Sequence, residues 1–464
     1  MRAFRAAPTR LAASARTGVS RRGASHGSSV GARAIGAHRL ASSRRAVPSV
    51  AASMTASPAE LAEWVTANGG DVSAVRVGEG ERGRGLFAAR DVAEGEAVLR
   101  VPVSLALNDG VAPEPYPGAP WSVTLAAAIL TARDAGEESP WARYVASLPR
   151  ETIGFANSPA ADDPASVAIL FDDAAADELE RYLTLLRGSH RAMTMMRREW
   201  TLEEWRWAMS QVHSRTFRVE EPTTARGRTR RLMVPFVDLL NHDSREGVWQ
   251  CDWDCEWELG GGGGVFVVRA RRDVAEGEEV LVSYGERCDR HFCVFFGFLP
   301  EPNPHNGVAL FRNLEEAAEF YEELCGDGED AAEAWARARE TAVATVRAEE
   351  TANATGKRNS TESASAPSSE NVEDRAWTSA DAEAEEEAAL RVGANATVDD
   401  RLLRLFEILS GDADVAVAAA SVRAGRMLEA MDESDAGDAD ETDEALALAV
   451  AYRRRRRELL EDIA

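Results

Sequence analysis

A seven-residue motif, RDVAEGE, occurs twice in this chain, and the repeat constrains the fold more than any other feature. The motif spans Arg90–Glu96 and again Arg272–Glu278, and each copy is followed one residue later by a Val-Leu pair that begins a strand-like run. Two copies so far apart are no solenoid repeat; they indicate one strand–turn–strand device used twice. We therefore predict that residues 71–112 and 232–298 build a single β-rich unit, with a helical segment inserted between them.

Short runs of strand-forming residues flank both copies of the motif. The clearest is Val248–Leu259, in which tryptophan, cysteine and leucine alternate with aspartate, glutamate and glutamine. A strict period of two predicts a half-buried strand with one apolar face and one acidic face. The glycines of Gly260–Gly264 predict a hairpin loop that leads into a partner strand over Val265–Arg269. Further strands are predicted at Ser73–Val77, Gly85–Ala89 and Ala97–Pro102.

Helical periodicity marks the inserted segment and the C-terminal third of the chain. Apolar residues spaced three and four apart predict amphipathic helices there, and one short helix precedes the first strand. Residues 349–387 are polar and low in apolar content, which predicts a disordered insertion, and the acidic run 432–443 predicts a solvated linker. The predicted helices are Glu60–Asn68, Thr124–Arg133, Asp177–Leu186, Leu202–Val212, Leu314–Leu324, Asp330–Ala348, Val398–Leu409, Val415–Met431 and Glu444–Ile463.

The first 59 residues differ in composition from the rest of the chain. They contain ten arginines and no aspartate or glutamate, and they lack a continuous apolar stretch. This composition is typical of an organellar transit peptide rather than of a secretory signal. Two alternatives stay open: a disordered basic tail that is retained, or translation that starts at Met54 and leaves a cytosolic protein.

The charge of the remaining residues restricts the partners of the protein. Removing ten positive charges from a net charge of −25 leaves −35 for the rest of the chain. Such a body is unsuited to the phosphate backbone of nucleic acids and better matched to basic partners. No apolar run approaches the length of a membrane-spanning helix. Five cysteines among 464 residues form no disulfide framework and fit a reducing compartment.

Three short segments carry residue types suited to binding or catalysis. Val234–Asp243 places an apolar run beside aspartate, asparagine and histidine, and Tyr284 ends a strand-like run. Glu81–Phe87 contains two glycines at which the backbone can approach a ligand closely. Taken singly, such features are more often a turn, a satisfied polar pair or a core aromatic residue.

Taken together and in order, these segments resemble a SET-domain methyltransferase. The set consists of RGRGLFAARDVAEGE, the helix from Trp207 to Arg215, VPFVDLLNHD, GEEVLVSYG and FFGFLPEPNPHN. It is similar to the subfamily that includes the Rubisco large-subunit lysine methyltransferases and the actin-histidine methyltransferase. The resemblance implies an α+β protein: a β-rich knotted SET fold over 60–300 with a helical insertion at about 113–210, then an all-α substrate-binding domain over 301–464.

The resemblance also implies a cofactor, S-adenosyl-L-methionine, and a set of site residues. The backbone near Gly83 would line the cofactor site, and Asn241 and His242 would hold its adenine and ribose end. Tyr284 would be the catalytic tyrosine. The implied cofactor-binding residues are Arg82, Gly83, Arg84, Gly85, Asn241 and His242; the implied substrate-binding residues are Arg215, Asp238, Tyr284 and Phe296.

Elementary chemistry agrees with a single buried tyrosine at the reacting centre. Methyl transfer from a sulfonium requires in-line approach of a neutral nitrogen, so positioning dominates the rate. A lysine side chain has a pKa near 10.4, and burial beside a positive sulfonium lowers that pKa and favours loss of the proton. A tyrosine hydroxyl can align the amine or stabilise the transition state. Of the six tyrosines, only Tyr284 falls in the inferred β-rich unit.

These expectations lead to one function and two alternatives. The leading hypothesis is a monomeric protein-lysine N-methyltransferase of the chloroplast that acts on a folded protein, with Rubisco large subunit or chloroplast aldolase as candidate substrates. Phe296 stands where lysine-methylating relatives often carry a second tyrosine, so a histidine acceptor stays open. The other alternative is a catalytically silent binding module. For location, the mitochondrion is the alternative to the chloroplast.

Two further features receive structural interpretations. The pairs Cys251/Cys255 and Cys288/Cys293 lack spacings typical of zinc sites, so we predict core packing and no metal. The arginine run Arg453–Arg457 lies in a predicted helix flanked by glutamate and leucine. We predict that it forms a solvated or substrate-facing surface.

Overall fold

The computed structural model describes residues 57–221, 228–258, 263–325, 332–358, 388–434 and 442–464. Nearly all of the predicted leader, the tip of the predicted glycine loop, and most of the predicted disordered insertion and acidic linker therefore lie outside the described residues. Residues 349–358, which we assigned to the disordered insertion, instead continue a helix.

The strands of the N-terminal two thirds form three small sheets. One is a hairpin of β1 and β2, the second has the order β3-β9-β8-β10-β7, and the third has the order β4-β6-β5. The alternating segment is strand β8, with both cysteines buried and both aspartates exposed, as its period of two predicts. The strands are β1 (Val75–Gly80), β2 (Gly83–Ala88), β3 (Ala97–Pro102), β4 (Leu107–Asn108), β5 (Thr216–Glu221), β6 (Arg228–Met233), β7 (Asn241–His242), β8 (Cys251–Trp257), β9 (Gly264–Ala270) and β10 (Leu281–Val282).

The two copies of RDVAEGE pair directly with each other. Val92 and Val274 exchange two backbone hydrogen bonds of 2.9 Å across an antiparallel bridge. The carboxylate of Asp273 accepts the Glu94 N–H at 2.9 Å, and in the symmetry-equivalent contact Asp91 accepts the N–H of Glu276 at 2.9 Å. We call residues 90–96 and 272–278 the clasp. The clasp joins the two halves of the β-rich unit, which the inserted helices separate in the sequence. The repeat predicted that these halves form one unit.

The inserted helices pack into their own hydrophobic core. Buried side chains of Ile129, Leu130, Tyr182 and Trp205 belong to it. The helices Asp173–Met195 and Leu202–Arg215 each begin at a side-chain cap. Trp121 and His213 lie on the side of these helices that faces the β-rich unit, and His213 packs against Tyr182. The helices up to this point are α1 (Pro58–Ala67), α2 (Trp121–Ala135), α3 (Ala142–Ser147), α4 (Pro164–Ala168), α5 (Asp173–Met195) and α6 (Leu202–Arg215).

The C-terminal region is helical, and it also contains a three-stranded antiparallel sheet that our all-α prediction omitted. Its strands contain five, four and two residues, which is too short for a period of two to be recognised. The elements are β11 (Gly307–Phe311), α7 (Leu314–Cys325), α8 (Ala332–Arg358), β12 (Leu390–Gly393), β13 (Thr397–Val398), α9 (Asp400–Ser410), α10 (Ala413–Glu433) and α11 (Glu444–Glu461).

The prediction of a solvated or substrate-facing surface for Arg453–Arg457 was wrong for Arg455 and Arg456. Arg456 is only 6% exposed and pairs with Asp172, at the start of α5, at 2.9 Å. Arg455 pairs with the buried Asp289 at 3.2 Å. The reason is tertiary: Ala449 and Tyr452 pack into the core of the insertion, which turns one face of α11 inward.

Candidate active site

A cavity of about 420 Å³ lies between the β-rich unit and the inserted helices. The four residues assigned to the substrate, Arg215, Asp238, Tyr284 and Phe296, all line it. They come from the end of α6, the turn before β7, the turn after β10 and a helical turn at residues 292–296. The structure thus brings together residues that lie far apart in the sequence.

Tyr284 is fixed at both its side chain and its backbone. Its hydroxyl donates to the carbonyl oxygen of Leu240 at 2.6 Å, and its backbone N–H donates to His242 Nδ1 at 3.0 Å. The rings of His242 and Tyr284 stack with centroids 4.9 Å apart. Burial raises the pKa of Tyr284 to about 12, so the phenol keeps its proton at neutral pH.

Asp238 is a buried carboxylate held by two donors. Arg215 Nη1 donates to the Asp238 carbonyl at 2.9 Å and to its Oδ2 at 3.2 Å, and the Tyr144 hydroxyl donates to the same Oδ2 at 3.0 Å. Burial raises the pKa of Asp238, and the charge of Arg215 opposes that rise. Sequence reasoning missed Tyr144, because nothing in its own segment relates helix α3 to a turn much later in the chain.

A second group of predicted residues meets beside this cavity, on β2 and β7. The side-chain amide of Asn241 donates to the Arg84 carbonyl at 3.3 Å and to Glu279 Oε1 at 2.9 Å. A Cβ atom on Gly85 would lie 2.6 Å from Asn241 Nδ2 and 2.8 Å from Glu279 Oε1. Any larger residue there would displace these two side chains, which agrees with the close backbone approach inferred from the sequence. Glu279 was not predicted.

Arg82 and His242 complete the set that the sequence assigned to the cofactor. Arg82 pairs with Asp243 at 2.7 Å and with Glu279 at 3.3 Å. His242 Nε2 lies 2.8 Å from the Ser244 hydroxyl, and its other nitrogen accepts from Tyr284. Burial lowers the pKa of His242 to about 4. Both ring nitrogens are therefore engaged in supporting the site, and a contact between His242 and a cofactor stays a prediction.

Aromatic side chains form much of the cavity wall, and of these sequence reasoning assigned Tyr284 and Phe296 to the site but not Trp121, Phe217, Trp253 or Phe295. Phe217 contacts Trp253 edge-on at 5.3 Å between ring centroids, and Phe296 lies 5.5 Å from Tyr284. Trp253 sits on the apolar face of the alternating strand, so the period of two already placed it inward. The other lining residues that sequence reasoning did not assign are Glu178, His213, Ser214, Thr216, Arg218, Arg231, Leu240, Ser283, Gly285, Arg287 and His291.

Neither a membrane helix nor a metal cluster is found in the part of the chain that the structure describes. No described helix is both long and apolar enough to span a bilayer. The described residues contain no group of three histidine, cysteine or acidic side chains arranged to hold a metal ion. None of the five cysteines, all of them among the described residues, forms a disulfide.

The fold and this site define the class of the protein. Residues 83–285 match the SET domain family, so the chain contains a SET domain, and the predicted α+β SET architecture is confirmed. The actin-histidine N-methyltransferase of Canis lupus familiaris is 26% identical over 281 residues, which are 56% of this chain and 46% of that protein. The Homo sapiens protein of the same name is 25% identical over 281 residues, with the same coverage. The chain thus spans about half the length of these curated relatives.

Solved structures give the same fold. A crystal structure of the SET domain of LSMT bound to lysine and AdoHcy has a TM-score of 0.53 at 15% identity, covering 88% of this chain and 89% of that chain. A structure of Rubisco LSMT bound to AdoMet has a TM-score of 0.51 at 14% identity, covering 88% of this chain and 90% of that one. At this level of identity the likeness concerns the fold alone.

Proposed function

We propose that this protein is an S-adenosylmethionine-dependent protein N-methyltransferase. The observation that carries the proposal is the fixed hydroxyl of Tyr284 in a cavity directly beside the glycine cradle of Arg84, Gly85 and Asn241. Two comparisons support the proposal. The curated relatives are methyltransferases by name, and the similar solved structures contain AdoHcy or AdoMet.

The residues present fit the cofactor. Gly85 lets the backbone approach the side chains of Asn241 and Glu279, which a Cβ would displace. The Arg84 carbonyl, the Asn241 amide and the Glu279 carboxylate offer acceptors and donors for a nucleoside. When bound, S-adenosylmethionine supplies an electrophilic methyl group on a sulfonium. The protein would hold the acceptor nitrogen in line and keep water out of the cavity.

Lysine is the acceptor that the cavity fits best. Phe217, Trp253 and Phe296 offer apolar walls for four methylene groups, and Tyr284 lies at the reacting end. Burial disfavours the ammonium form, so the walls also promote the neutral amine.

Histidine is the second candidate. The curated relatives reported above are actin-histidine N-methyltransferases, and Phe296 lacks the hydroxyl that lysine-methylating relatives often carry at that position. An imidazole is mostly neutral at pH 7 and needs no deprotonation before it attacks.

Labelled S-adenosylmethionine and a chloroplast stromal extract test the activity. We expect one or a few labelled proteins, and acid hydrolysis of the product separates methyllysine from methylhistidine. Tyr284→Phe should lower the labelling rate by about 100-fold, as for loss of a transition-state hydrogen bond, while calorimetry shows unchanged cofactor affinity. Tyr116→Phe, at the partly exposed edge of the insertion, is the matched control. Cofactor binding without any transfer would favour the silent binding module instead.

The proposed location is the chloroplast, supported by the arginine-rich, acid-free composition of residues 1–59. Fusion of those residues to a fluorescent protein should direct it to chloroplasts, and a fusion that begins at Met54 should stay in the cytosol. Import into mitochondria alone would contradict the proposal. Rubisco large subunit and aldolase are the first acceptors to test in the labelled extract.

A further inference from the structure

We infer that Arg455, on the C-terminal helix α11, is a positioning residue for Tyr284. A continuous series of hydrogen bonds joins the two residues through Asp289, Asn303 and Arg287. The inference rests on the catalytic role proposed for Tyr284. It gives the C-terminal region a role in catalysis: through Arg455, this region helps to hold Tyr284 in position.

The series begins at the backbone of Tyr284. Arg287 Nε donates to the Tyr284 carbonyl oxygen at 3.0 Å, which is the third contact on this residue besides those from Leu240 and His242. A tyrosine held by its hydroxyl, its N–H and its carbonyl has little freedom to shift. Arg287 is thus placed to set the position of the phenol relative to the cavity.

The series continues through two buried side chains. The Asn303 amide nitrogen lies 2.9 Å from the Arg287 carbonyl oxygen and 2.8 Å from Asp289 Oδ1. The Asp289 side chain is 1% exposed, and Arg455 Nη1 reaches its other oxygen at 3.2 Å. Arg455 Nη1 also donates to the Pro300 carbonyl. Within the described residues, Arg455 is the cation that pairs with Asp289.

Burial makes this pairing consequential. Removing one partner of a buried ion pair leaves a charge without compensation, and the surrounding structure rearranges to solvate or neutralise it. Rearrangement of Asp289 would release Asn303, then Arg287, and so the backbone of Tyr284. A displacement of about 1 Å at a reacting group can lower a rate by about 100-fold. Loss of Arg455 should therefore reduce turnover without touching the cofactor cradle.

Hydrogen exchange tests the inference whether or not the enzyme is assayed. In Arg455→Gln, amides of the peptide 281–287 should exchange about tenfold faster than in the unaltered protein, because local opening becomes easier. Arg457→Gln is the matched control, since Arg457 lies on the same helix but pairs with the exposed Asp432. Equal exchange of this peptide in Arg455→Gln and the unaltered protein overturns the inference.

Steady-state rates supply the second measurement, with labelled S-adenosylmethionine varied and stromal extract held constant. We expect kcat to fall about tenfold in Arg455→Gln with KM for the cofactor unchanged, and Arg455→Lys to recover part of the loss. The double variant Arg455→Gln/Asp289→Asn should also recover part of the lost kcat, since it leaves no buried charge and keeps an acceptor for Asn303.

A thermal destabilisation with normal kcat would assign Arg455 a purely structural role and overturn the inference. Failure of the unaltered protein to transfer a methyl group would contradict the proposed function, and the exchange result would still test the coupling.

Discussion

The direction of the Tyr284 hydroxyl determines what it can do for an incoming amine. A phenol has one proton to donate and two lone pairs to accept with, and the proton is committed to the Leu240 carbonyl at 2.6 Å. The oxygen can therefore accept an N–H from the acceptor amine, which would orient the nitrogen lone pair. With a pKa raised to about 12 by burial, Tyr284 stays neutral and is itself a poor nucleophile toward a sulfonium.

At the cofactor cradle, Gly85→Ala should weaken S-adenosylmethionine binding. The added Cβ would lie 2.6 Å from Asn241 Nδ2, so the amide must leave its hydrogen bonds to Arg84 and Glu279. Loss of one or two such bonds corresponds to about a tenfold to thirtyfold rise in Kd, measurable by calorimetry. Gly188→Ala is the control, because Gly188 lies in helix α5 with nothing within 4 Å of its would-be Cβ. Similar Kd values for the two variants would contradict the assignment of the cradle.

Protonation of His242 should destabilise the fold at mildly acidic pH. Its pKa falls from 6.5 to about 4 through burial, so the unfolded chain binds a proton in this interval before the folded protein does. Stability is thus complete above pH 6.5 and declines as the pH falls toward 4, by about 2 kcal/mol at pH 5 and ~3 kcal/mol in full.

Urea unfolding at pH 7.5 and pH 5.0 measures this dependence on pH. His213, whose pKa burial lowers to about 3, contributes in the same direction, so the comparison with His242→Gln isolates one histidine. The variant should be less stable at pH 7.5, because it loses the contact with the Tyr284 N–H, and should lose less stability on acidification. Parallel pH dependences in the two proteins would show that His242 titrates as an exposed imidazole.

Among the elements of the fold, the clasp is a small cooperative unit. Each copy places an aspartate against a backbone N–H of the other, and each contains an arginine–glutamate pair, Arg90 with Glu96 and Arg272 with Glu278. We expect Asp91→Ala and Asp273→Ala to lower the free energy of unfolding by about 1 kcal/mol each. Glu94→Ala, whose side chain is exposed, should stay within about 0.5 kcal/mol.

The double variant of the clasp tests cooperativity. If loss of one aspartate loosens both copies, Asp91→Ala/Asp273→Ala should cost less than the sum of the single changes, by at least about 0.5 kcal/mol. Strict additivity in denaturant titrations would show that the two contacts act independently.

The same elements show how far the sequence alone could lead. The period of two predicted strand β8, because that period records burial on one face. The repeat predicted that its two copies belong to one β-rich unit, and the bridge between Val92 and Val274 joins them. The contact between Tyr144 and Asp238 was unpredictable, since it depends on how the insertion docks, and no local pattern encodes docking. For the same reason the sequence did not predict that one face of helix α11 is buried. A run of arginines predicts an exposed surface unless the residues that pair with it are known.

On the scale of the whole molecule, helix α11 connects regions that are far apart in the sequence. Ala449 and Tyr452 pack into the core of the insertion, whereas Leu460 packs into the C-terminal core. A net charge of −25 would suggest internal repulsion, yet the arginines of α11 bind aspartates of the insertion and of the SET domain. The C-terminal region is therefore held by specific buried ion pairs as well as by apolar contact.

We expect the ion pair between Arg456 and Asp172 to couple the unfolding of the C-terminal core to that of the insertion. Both side chains are 7% exposed and 2.9 Å apart, and the Tyr452 hydroxyl donates to the same carboxylate. Arg456→Met removes the ion-pair partner of that buried carboxylate and leaves it only the charge of Arg290, which should cost about 3 kcal/mol. In urea we expect the transition by far-UV circular dichroism to separate from that by tryptophan fluorescence, because the C-terminal core loses its anchor on the insertion.

Two further variants define what the result means. Arg454→Met, a substitution of the same type at the exposed neighbour on the helix, should leave the two transitions coincident. The double variant Arg456→Met/Asp172→Asn removes both charges and keeps an acceptor for Tyr452, so it should regain most of the lost stability. A double variant as unstable as Arg456→Met would mean that the arginine stabilises α11 through packing of its aliphatic stem, and that the charge pair itself does not join the two cores.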